Sequence, residues 1–311
     1  MSFDSLPIQT KISLMSVVVS LATVNLLGVL PVQAATLSWQ TIKTSQPSLF
    51  NANGRFATAS STLSVTNGGT VGLSFGSINN INASSFTRIQ GISSQFVNNS
   101  PRIDSTLNGT LPDASSSLNI QQDATSVGNA VYAGFKFNTI GGVSGLTFTL
   151  FDIDNSSNSL VSNNWQDRVI VRGLLNGVAV LPTNVTAVSP YSIGTGNVGI
   201  NYAGASVAGA TVLDGTKSVN DSTSNNGNVT ITFNFNTKID QLYIDFTQAP
   251  GAFSNSATAN PGSHGIGIGD MTFAVPEPFT LLGSGAAIGF GAIFKRRFAK
   301  ARSQKKVYGL S

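Results

Sequence analysis

The sequence predicts an all-β protein whose body is an antiparallel β-sandwich of jelly-roll or immunoglobulin-like type. Hydrophobic residues alternate with period two through the middle of the chain, turn dipeptides separate the runs, and long apolar segments occur at the two ends. No long segment between residues 36 and 275 has helical periodicity. Many short strands with polar turns are typical of a sandwich, and a barrel is the next choice. A signal helix and a transmembrane helix are expected to flank the body.

The N-terminus predicts an export signal over residues 1–34. Lys11 ends a short polar region, residues 12–30 are apolar, and small residues at Val32 and Ala34 favour cleavage between Ala34 and Ala35. An uncleaved membrane anchor is the alternative, because the apolar run approaches the length of a span. The exported body, residues 35–273, contains no cysteine. Its stability must therefore come from its core rather than from disulfides.

Strand and turn signals follow one another along the body. Alternation in 229–235 predicts one buried face with Val229, Ile231, Phe233 and Phe235, and alternation in 242–246 predicts another with Leu242, Ile244 and Phe246. Asn176-Gly177 and Asp214-Gly215 predict hairpin turns, and Asn67-Gly68-Gly69 predicts a slightly longer one. The polar stretches 93–129 and 249–265 are expected to form loops, the first with at most one short strand.

The last 38 residues, 274–311, combine three features in a fixed order. Glu277, the single glutamate of the chain, stands between Pro276 and Pro278, and the two prolines favour an extended backbone there. Residues 279–294 form an uncharged run of about 24 Å as a helix, a short transmembrane span. Lys295, Arg296 and Arg297 open a basic tail, 295–311, that favours the cytoplasmic side.

This order resembles the PEP-CTERM sorting signal, with the motif at 275–278. The resemblance implies that an exosortase, an integral-membrane transpeptidase of cysteine-protease type, removes the tail and passes the protein from the inner membrane to the cell surface or extracellular polymer. The tail after the arginines is longer than is usual in that family. The resemblance and the Asn/Ser/Thr-rich composition together imply a Gram-negative-type bacterium, of cyanobacterial kind.

The charge of the body excludes nucleic acid as a partner. The whole chain carries a formal +4, but seven of its seventeen basic residues lie in the last seventeen positions. Residues 35–275 contain nine Lys/Arg and eleven Asp, a net charge of 9 − 11 = −2. The body therefore offers no excess of basic residues that would attract phosphates.

A block of aspartates is the candidate metal site. The hydrophobic phase changes between Leu150 and Phe151, which predicts a bulge or a strand end there. Asp152 and Asp154 follow that point and Asp167 precedes the next strand, so their carboxylates and nearby carbonyls are a candidate calcium site. The alternative is that they accept hydrogen bonds from backbone amides in turns. The segments 146–178 and 265–273 also resemble β-sandwich modules of secreted bacterial surface proteins, some of which are lectin-like or bind calcium.

Catalytic signals are weak, and no catalytic residue is assigned. His264, the one histidine, lies in a glycine-rich segment near Asp270, without the nucleophile elbow that a triad needs, and is expected to be structural. Zinc ligands are lacking, since the chain has no cysteine and one histidine. A sugar-stacking platform could be formed by aromatic side chains, which are Trp39, Trp165, Tyr191 and Tyr202.

These observations predict an exported, non-enzymatic surface or matrix protein that is trimmed at both ends and binds or packs within extracellular polysaccharide. No cofactor is required by this prediction, with calcium the one candidate. Two alternatives stay open: a calcium-dependent lectin-like module, and a secreted polysaccharide hydrolase or lyase that uses aspartates in a groove.

Overall fold

The computed structural model describes residues 32–67, 69–81, 86–109, 116–123, 128–154, 166–187, 200–204, 210–215, 228–249, 263–276 and 294–295. Ala34–Val275 form one compact unit. Met1–Gln33 with Pro276–Ser311 form the other unit, in which few residues are described.

Antiparallel strands make up most of the compact unit. Their bounds, in chain order, are β1 (Val32–Leu37), β2 (Ser60–Ser64), β3 (Thr70–Ile78), β4 (Arg88–Gln90), β5 (Arg102–Asp104), β6 (Ser117–Asp123), β7 (Ala130–Phe137), β8 (Val143–Phe151), β9 (Asp167–Leu175), β10 (Val178–Val180), β11 (Asn184–Ala187), β12 (Ile200–Gly204), β13 (Thr211–Gly215), β14 (Val229–Thr232), β15 (Lys238–Ile239), β16 (Gln241–Gln248), β17 (Ser263–Ile268) and β18 (Met271–Pro276). A short helix, α1 (Trp39–Ser45), and a 3₁₀ turn (Pro47–Leu49) follow β1.

The strands form two nine-stranded sheets, which confirms the predicted all-β, sandwich-like character. The first sheet has the order β1-β18-β8-β17-β6-β5, with β14 and β15 beside β8 and β11 beside β14. The second sheet has the order β12-β13-β9-β16-β7-β3-β2, with β10 beside β9 and β4 beside β3. Consecutive strands such as β9 and β10 form hairpins, while β7 and β16 meet across a long stretch of sequence.

The core lies between the inner faces of the two sheets. In β16, Leu242, Ile244 and Phe246 are fully buried in one hydrophobic cluster with residues of both sheets, as the alternation predicted. Phe137 of the second sheet and Phe273 of the first approach to 5.1 Å between ring centroids in an edge-on arrangement. Period-two burial therefore leaves an outer face on each sheet, and the outer face of the second sheet carries the candidate site.

Helix α1 connects the start of the compact unit to its end. Ser38 caps the helix by accepting the Thr41 N–H, as N-cap serines commonly do. Trp39 is buried, its indole Nε1 donates to the Gly269 carbonyl at 2.9 Å, and its backbone N–H donates to Asp270 Oδ1 at 2.8 Å. Because β1 also lies beside β18, the first and last strands of the body are neighbours.

Several turn predictions are confirmed. Asn176 and Gly177 both have positive φ, 51° and 79°, and join β9 to β10 with Leu175 opposite Val178. This is the backbone that a two-residue hairpin requires and that Asn-Gly adopts readily. Asn67 has φ 64° in the connection of β2 to β3. The predicted strand end at 150–151 is also correct, since β8 ends at Phe151 and Asp152 has φ 64°.

Other predictions are wrong. Asp214-Gly215 is no turn: both residues lie in β13, and Asp214 pairs with Arg168 of β9. Phe235 is 70% exposed because β14 ends at Thr232, and its ring covers Gly145 instead. The stretch 93–129 contains the seven-residue β6 and the short β5, not only loops. His264 lies within β17, not in a loop.

Candidate functional site

The outer face of the second sheet carries a polar groove of about 540 Å³. Two rows of cross-strand neighbours form its floor. Ser74 of β3, Gly134 of β7 and Tyr243 of β16 make one row, and Gly72, Lys136 and Gln241 make the next. The full lining is Ser60, Ser61, Thr62, Gly72, Leu73, Ser74, Gly134, Phe135, Lys136, Asn138, Gln241 and Tyr243.

Gly134 allows the Tyr243 ring to lie down against the sheet. A Cβ at Gly134 would stand 2.7 Å from Ser74 Oγ and 2.8 Å from Tyr243 Cε1, closer than side chains tolerate. The Tyr243 hydroxyl donates to Gln241 Oε1 at 3.2 Å, and Ser74 Oγ donates to the Gly134 carbonyl at 3.3 Å. The groove thus combines two glycines, the aromatic ring of Tyr243 and several hydroxyl and amide groups.

A charged cluster supports Tyr243 from behind. The Arg88 guanidinium carbon lies 3.8 Å from the Tyr243 ring centroid. Arg88 in turn donates to both oxygens of the fully buried Asp245, at 2.8 and 3.0 Å from Nη2. Asp245 follows Tyr243 by two residues along β16, whereas Gln241 precedes it by two. The guanidinium therefore packs over the Tyr243 ring, and Tyr243 itself lines the groove.

A second arginine joins this cluster. Arg172 Nε lies 3.3 Å from Asp245 Oδ2, and its guanidinium carbon lies 4.2 Å from the Phe86 ring centroid. Burial raises the pKa of Asp245, and the charges and hydrogen bonds of Arg88 and Arg172 oppose that rise. Burial also lowers the pKa of Arg172. The two-pronged geometry of Arg88 is that of a guanidinium on an ionised carboxylate.

Of the three candidate calcium ligands, Asp154 and Asp167 contact each other, and Asp152 contacts Asn228. The Asp154 N–H donates to Asp167 Oδ2 at 3.2 Å, and the Asp167 N–H donates to the Asp154 carbonyl at 2.9 Å. The Asp152 N–H donates to Asn228 Oδ1 at 3.4 Å. All three aspartates are buried.

His264 contributes to the same cluster. Its Nδ1 contacts Asp167 Oδ1, and its Nε2 contacts the side-chain amide of Gln248. Burial lowers the pKa of His264 to about 3, although Asp123 raises it, and burial raises the pKa of Asp167 well above its usual value. Over the described part of the chain, no group of three or more His, Cys, Asp or Glu side chains is placed to hold a metal ion. Calcium binding stays a prediction.

The predicted processing residues fall near the limits of the compact unit. Ala34 is exposed and Ala35 is buried, both within β1. Pro276 is the last residue of β18, and Lys295 is described and exposed. Glu277, Pro278, Arg296 and Arg297 lie outside the described residues, as do 279–293 of the predicted span. Within the ranges that are described, no helix is both long enough and apolar enough to cross a membrane.

The aromatic platform suggested by the sequence is not the one in the groove. Trp39 is fully buried, so it is not available to a ligand. Trp165 and Tyr191 lie outside the described residues, and Tyr202 belongs to β12. The groove instead uses Tyr243, with Gln241 and Lys136, none of which was proposed as a site residue. The alternation of β16 could have identified Gln241 and Tyr243, because it puts them on the face opposite Leu242 and Ile244.

Comparison with known proteins yields no relative: no family model, characterised protein or solved structure matches this chain.

Proposed function

We propose that this chain is an exported cell-surface or extracellular-matrix protein whose β-sandwich body, of jelly-roll or immunoglobulin-like type, binds polysaccharide in the outer-face groove without turning it over. An exosortase-type membrane transpeptidase would remove residues after the 275–278 motif, and signal peptidase would remove residues 1–34. The order of parts at the two ends supports export and trimming. The compactness of Ala34–Val275 supports a body that works without either end.

The groove is the observation that carries the binding role. Sugars present hydroxyl groups around a ring whose C–H face packs on aromatic side chains, so a sugar site combines an aromatic plane with hydroxyl and amide partners. Tyr243 supplies the plane, and Ser60, Thr62, Asn138 and Gln241 supply the polar groups. The space over Gly72 leaves room for a chain lying across the strands.

The residues that line the groove favour binding over hydrolysis. Glycoside hydrolysis requires two carboxyl groups that flank the scissile bond. None of the described residues that line the groove is an aspartate, a glutamate or a histidine. The buried Asp167 and His264 contact each other and lie on β9 and β17, away from the lining residues.

The calcium-dependent lectin stays as the second candidate because Asp154 and Asp167 do lie together. The two candidates differ in their response to a chelator. Binding in the groove alone requires no metal, whereas a lectin of the second kind would lose its glycan when calcium is removed.

The groove is tested by filling it. A Cβ at Gly72 would meet only Lys136 Cβ at 3.5 Å and the Lys136 carbonyl at 3.7 Å, which are ordinary contacts. We therefore expect Gly72→Val to fold normally, because valine suits a strand, and to block the groove. Ser64→Val is the matched control, since Ser64 is exposed in β2 but does not line the groove.

Retention of the protein on a panel of soluble polysaccharides, measured by affinity electrophoresis with and without EDTA, distinguishes the candidates. The proposal predicts retention that survives EDTA and Ser64→Val but not Gly72→Val. Equal retention by both variants would remove the groove from the account. Release of sugar products would favour the hydrolase or lyase.

Export and trimming are tested on protein recovered from the host. Intact-mass measurement should give a chain that starts at Ala35 and lacks the basic tail, 295–311. A native protein that retains Lys295–Arg297 would contradict exosortase processing.

A further inference from the structure

The groove contains one charged side chain, and that charge is positive. Lys136 projects from β7 beside Gly72 and Gln241, and it is exposed. No ion pair joins it to a carboxylate anywhere in the described ranges. The remaining lining residues are glycine, hydroxyl, amide, apolar or phenolic. An ammonium group therefore stands at the groove without a compensating negative charge.

The cluster behind Tyr243 adds further positive charge. Arg88 and Arg172 share the single carboxylate of Asp245, which leaves this group with a net charge of about +1. Arg172 Nη2 is buried and has no hydrogen-bond acceptor among the described residues. Because these groups are buried to a large extent, their field is screened less than that of an exposed pair.

Among the described residues, the Asp240 carboxylate forms no ion pair with Lys136. Asp240 directly precedes Gln241, but its Oδ2 accepts the Asn176 N–H at 3.0 Å at the tip of the β9–β10 hairpin. Asp240 is not part of the groove lining. Further along the outer face, Arg168 and Asp214 neutralise each other with contacts of 2.6 and 2.7 Å.

From this arrangement we propose that the groove takes an anionic polysaccharide, with Lys136 pairing with the acidic group of a sugar that packs on Tyr243. The inference rests on the proposed function and names its ligand class. A neutral glycan would leave the Lys136 charge uncompensated, whereas a uronate carboxylate or a sulfate ester supplies the missing negative charge. Uronates and sulfate esters share one chemistry, a negatively charged group on a pyranose ring.

The test uses the full-length chain in mild detergent and two pairs of matched polymers. Polygalacturonate is compared with its carboxyl-reduced form, which keeps the linkages but is neutral, and dextran sulfate is compared with dextran. Lys136→Gln removes the charge, and Lys136→Arg retains it. Lys238→Gln is the matched control, because Lys238 is also an exposed strand lysine but belongs to β15 of the first sheet.

Tighter binding of the charged member of a pair is the expected result. We expect Lys136→Gln to weaken that binding about two- to fivefold, the size typical of one exposed ion pair, and Lys136→Arg and Lys238→Gln to leave it unchanged. Raising the salt concentration should reduce the difference in affinity between the charged and the neutral polymer of each pair. The uronate and sulfate pairs show which anionic group the groove prefers.

Two outcomes would overturn the inference in distinguishable ways. Equal binding of charged and neutral polymers would refute the anionic ligand, and binding of the charged polymers that Lys136→Gln leaves unchanged would refute the pairing with Lys136; both results would leave polysaccharide binding in place. Failure of every polymer to bind would refute the proposed function as well.

Discussion

Asp245 is the buried charge on which the arrangement behind the groove depends, and Asp245→Asn tests that role. The carboxylate is fully buried and holds Arg88 at 2.8 Å and Arg172 at 3.3 Å. Asparagine has the same shape but no charge, so two guanidinium groups would lose their counter-ion. Breaking a buried ion pair by removing one partner costs about 3–5 kcal/mol. The side chains of Arg88 and Arg172 are 19% and 13% exposed and can recover some hydration. We therefore expect a loss of about 3 kcal/mol.

Thermal unfolding followed by circular dichroism measures this loss. In a domain of this size 1 kcal/mol corresponds to about 2–4 °C, so Tm should fall by about 6–12 °C. Asp240→Asn is the control, because Asp240 accepts a backbone N–H at an exposed hairpin and should change the free energy of unfolding by less than about 1 kcal/mol. Equal effects of the two substitutions would show that the buried cluster does not stabilise the sheet as argued.

Two further predictions concern His264 and Tyr243. Burial lowers the pKa of His264 from 6.5 to about 3, so the free energy of unfolding should fall as pH drops below 6.5. Burial raises the pKa of Asp167 from 3.8, which has the opposite sign, since stability is then lost as pH rises. The two contributions to the pH dependence of the free energy of unfolding oppose each other between about pH 4 and 6. Because His264→Gln removes the histidine contribution, the variant should lose stability as pH rises, which urea unfolding at pH 4.5 and 6 would measure. If His264→Gln had the same pH dependence of stability as the parent protein, the opposing roles of His264 and Asp167 would be refuted. Tyr243→Ala should weaken polysaccharide binding about tenfold, whereas Tyr243→Phe should largely retain it. If Tyr243→Phe lost as much binding as Tyr243→Ala, the hydroxyl rather than the ring would be responsible.

Period-two alternation predicted the strands whose inner faces are purely hydrophobic. β16 is the clearest example, since Leu242, Ile244 and Phe246 lie in the core as expected. The same alternation places Asp245 on the outer face, yet Asp245 is fully buried. That burial depends on Arg88 and Phe86, which approach from a distant part of the chain, and no local pattern contains such contacts.

Strand β6 was missed because its buried residues are largely polar. Ser117 Oγ donates to the Leu107 carbonyl at 2.7 Å, and the Gln121 N–H donates to Ser100 Oγ at 2.7 Å. These partners satisfy the polar groups only once the tertiary structure has formed. A polar stretch without alternation therefore resembles a loop when the sequence is considered alone.

Asp214-Gly215 was misinterpreted for a related reason. Asp-Gly is a strong hairpin signal, but here each residue has a long-range role. Asp214 pairs with Arg168, and the missing side chain of Gly215 admits the Asp154 carbonyl, which lies 2.1 Å from where a Cβ would stand. The site was likewise hidden from the sequence. Gly72 and Gly134 have no side chain to suggest a site, and their positions beside Lys136 and Tyr243 follow only from the register of three strands.

The central claim, that polysaccharide occupies the outer-face groove, is tested most directly by mapping the contact. Amide chemical shifts of the isotope-labelled protein, recorded during titration with an oligogalacturonate, should change at Gly72, Lys136, Gln241 and Tyr243. The shifts of β8 and β14 in the first sheet should stay constant. Changes confined to the segment around Asp154 and Asp167, or no changes at saturating sugar, would contradict the account.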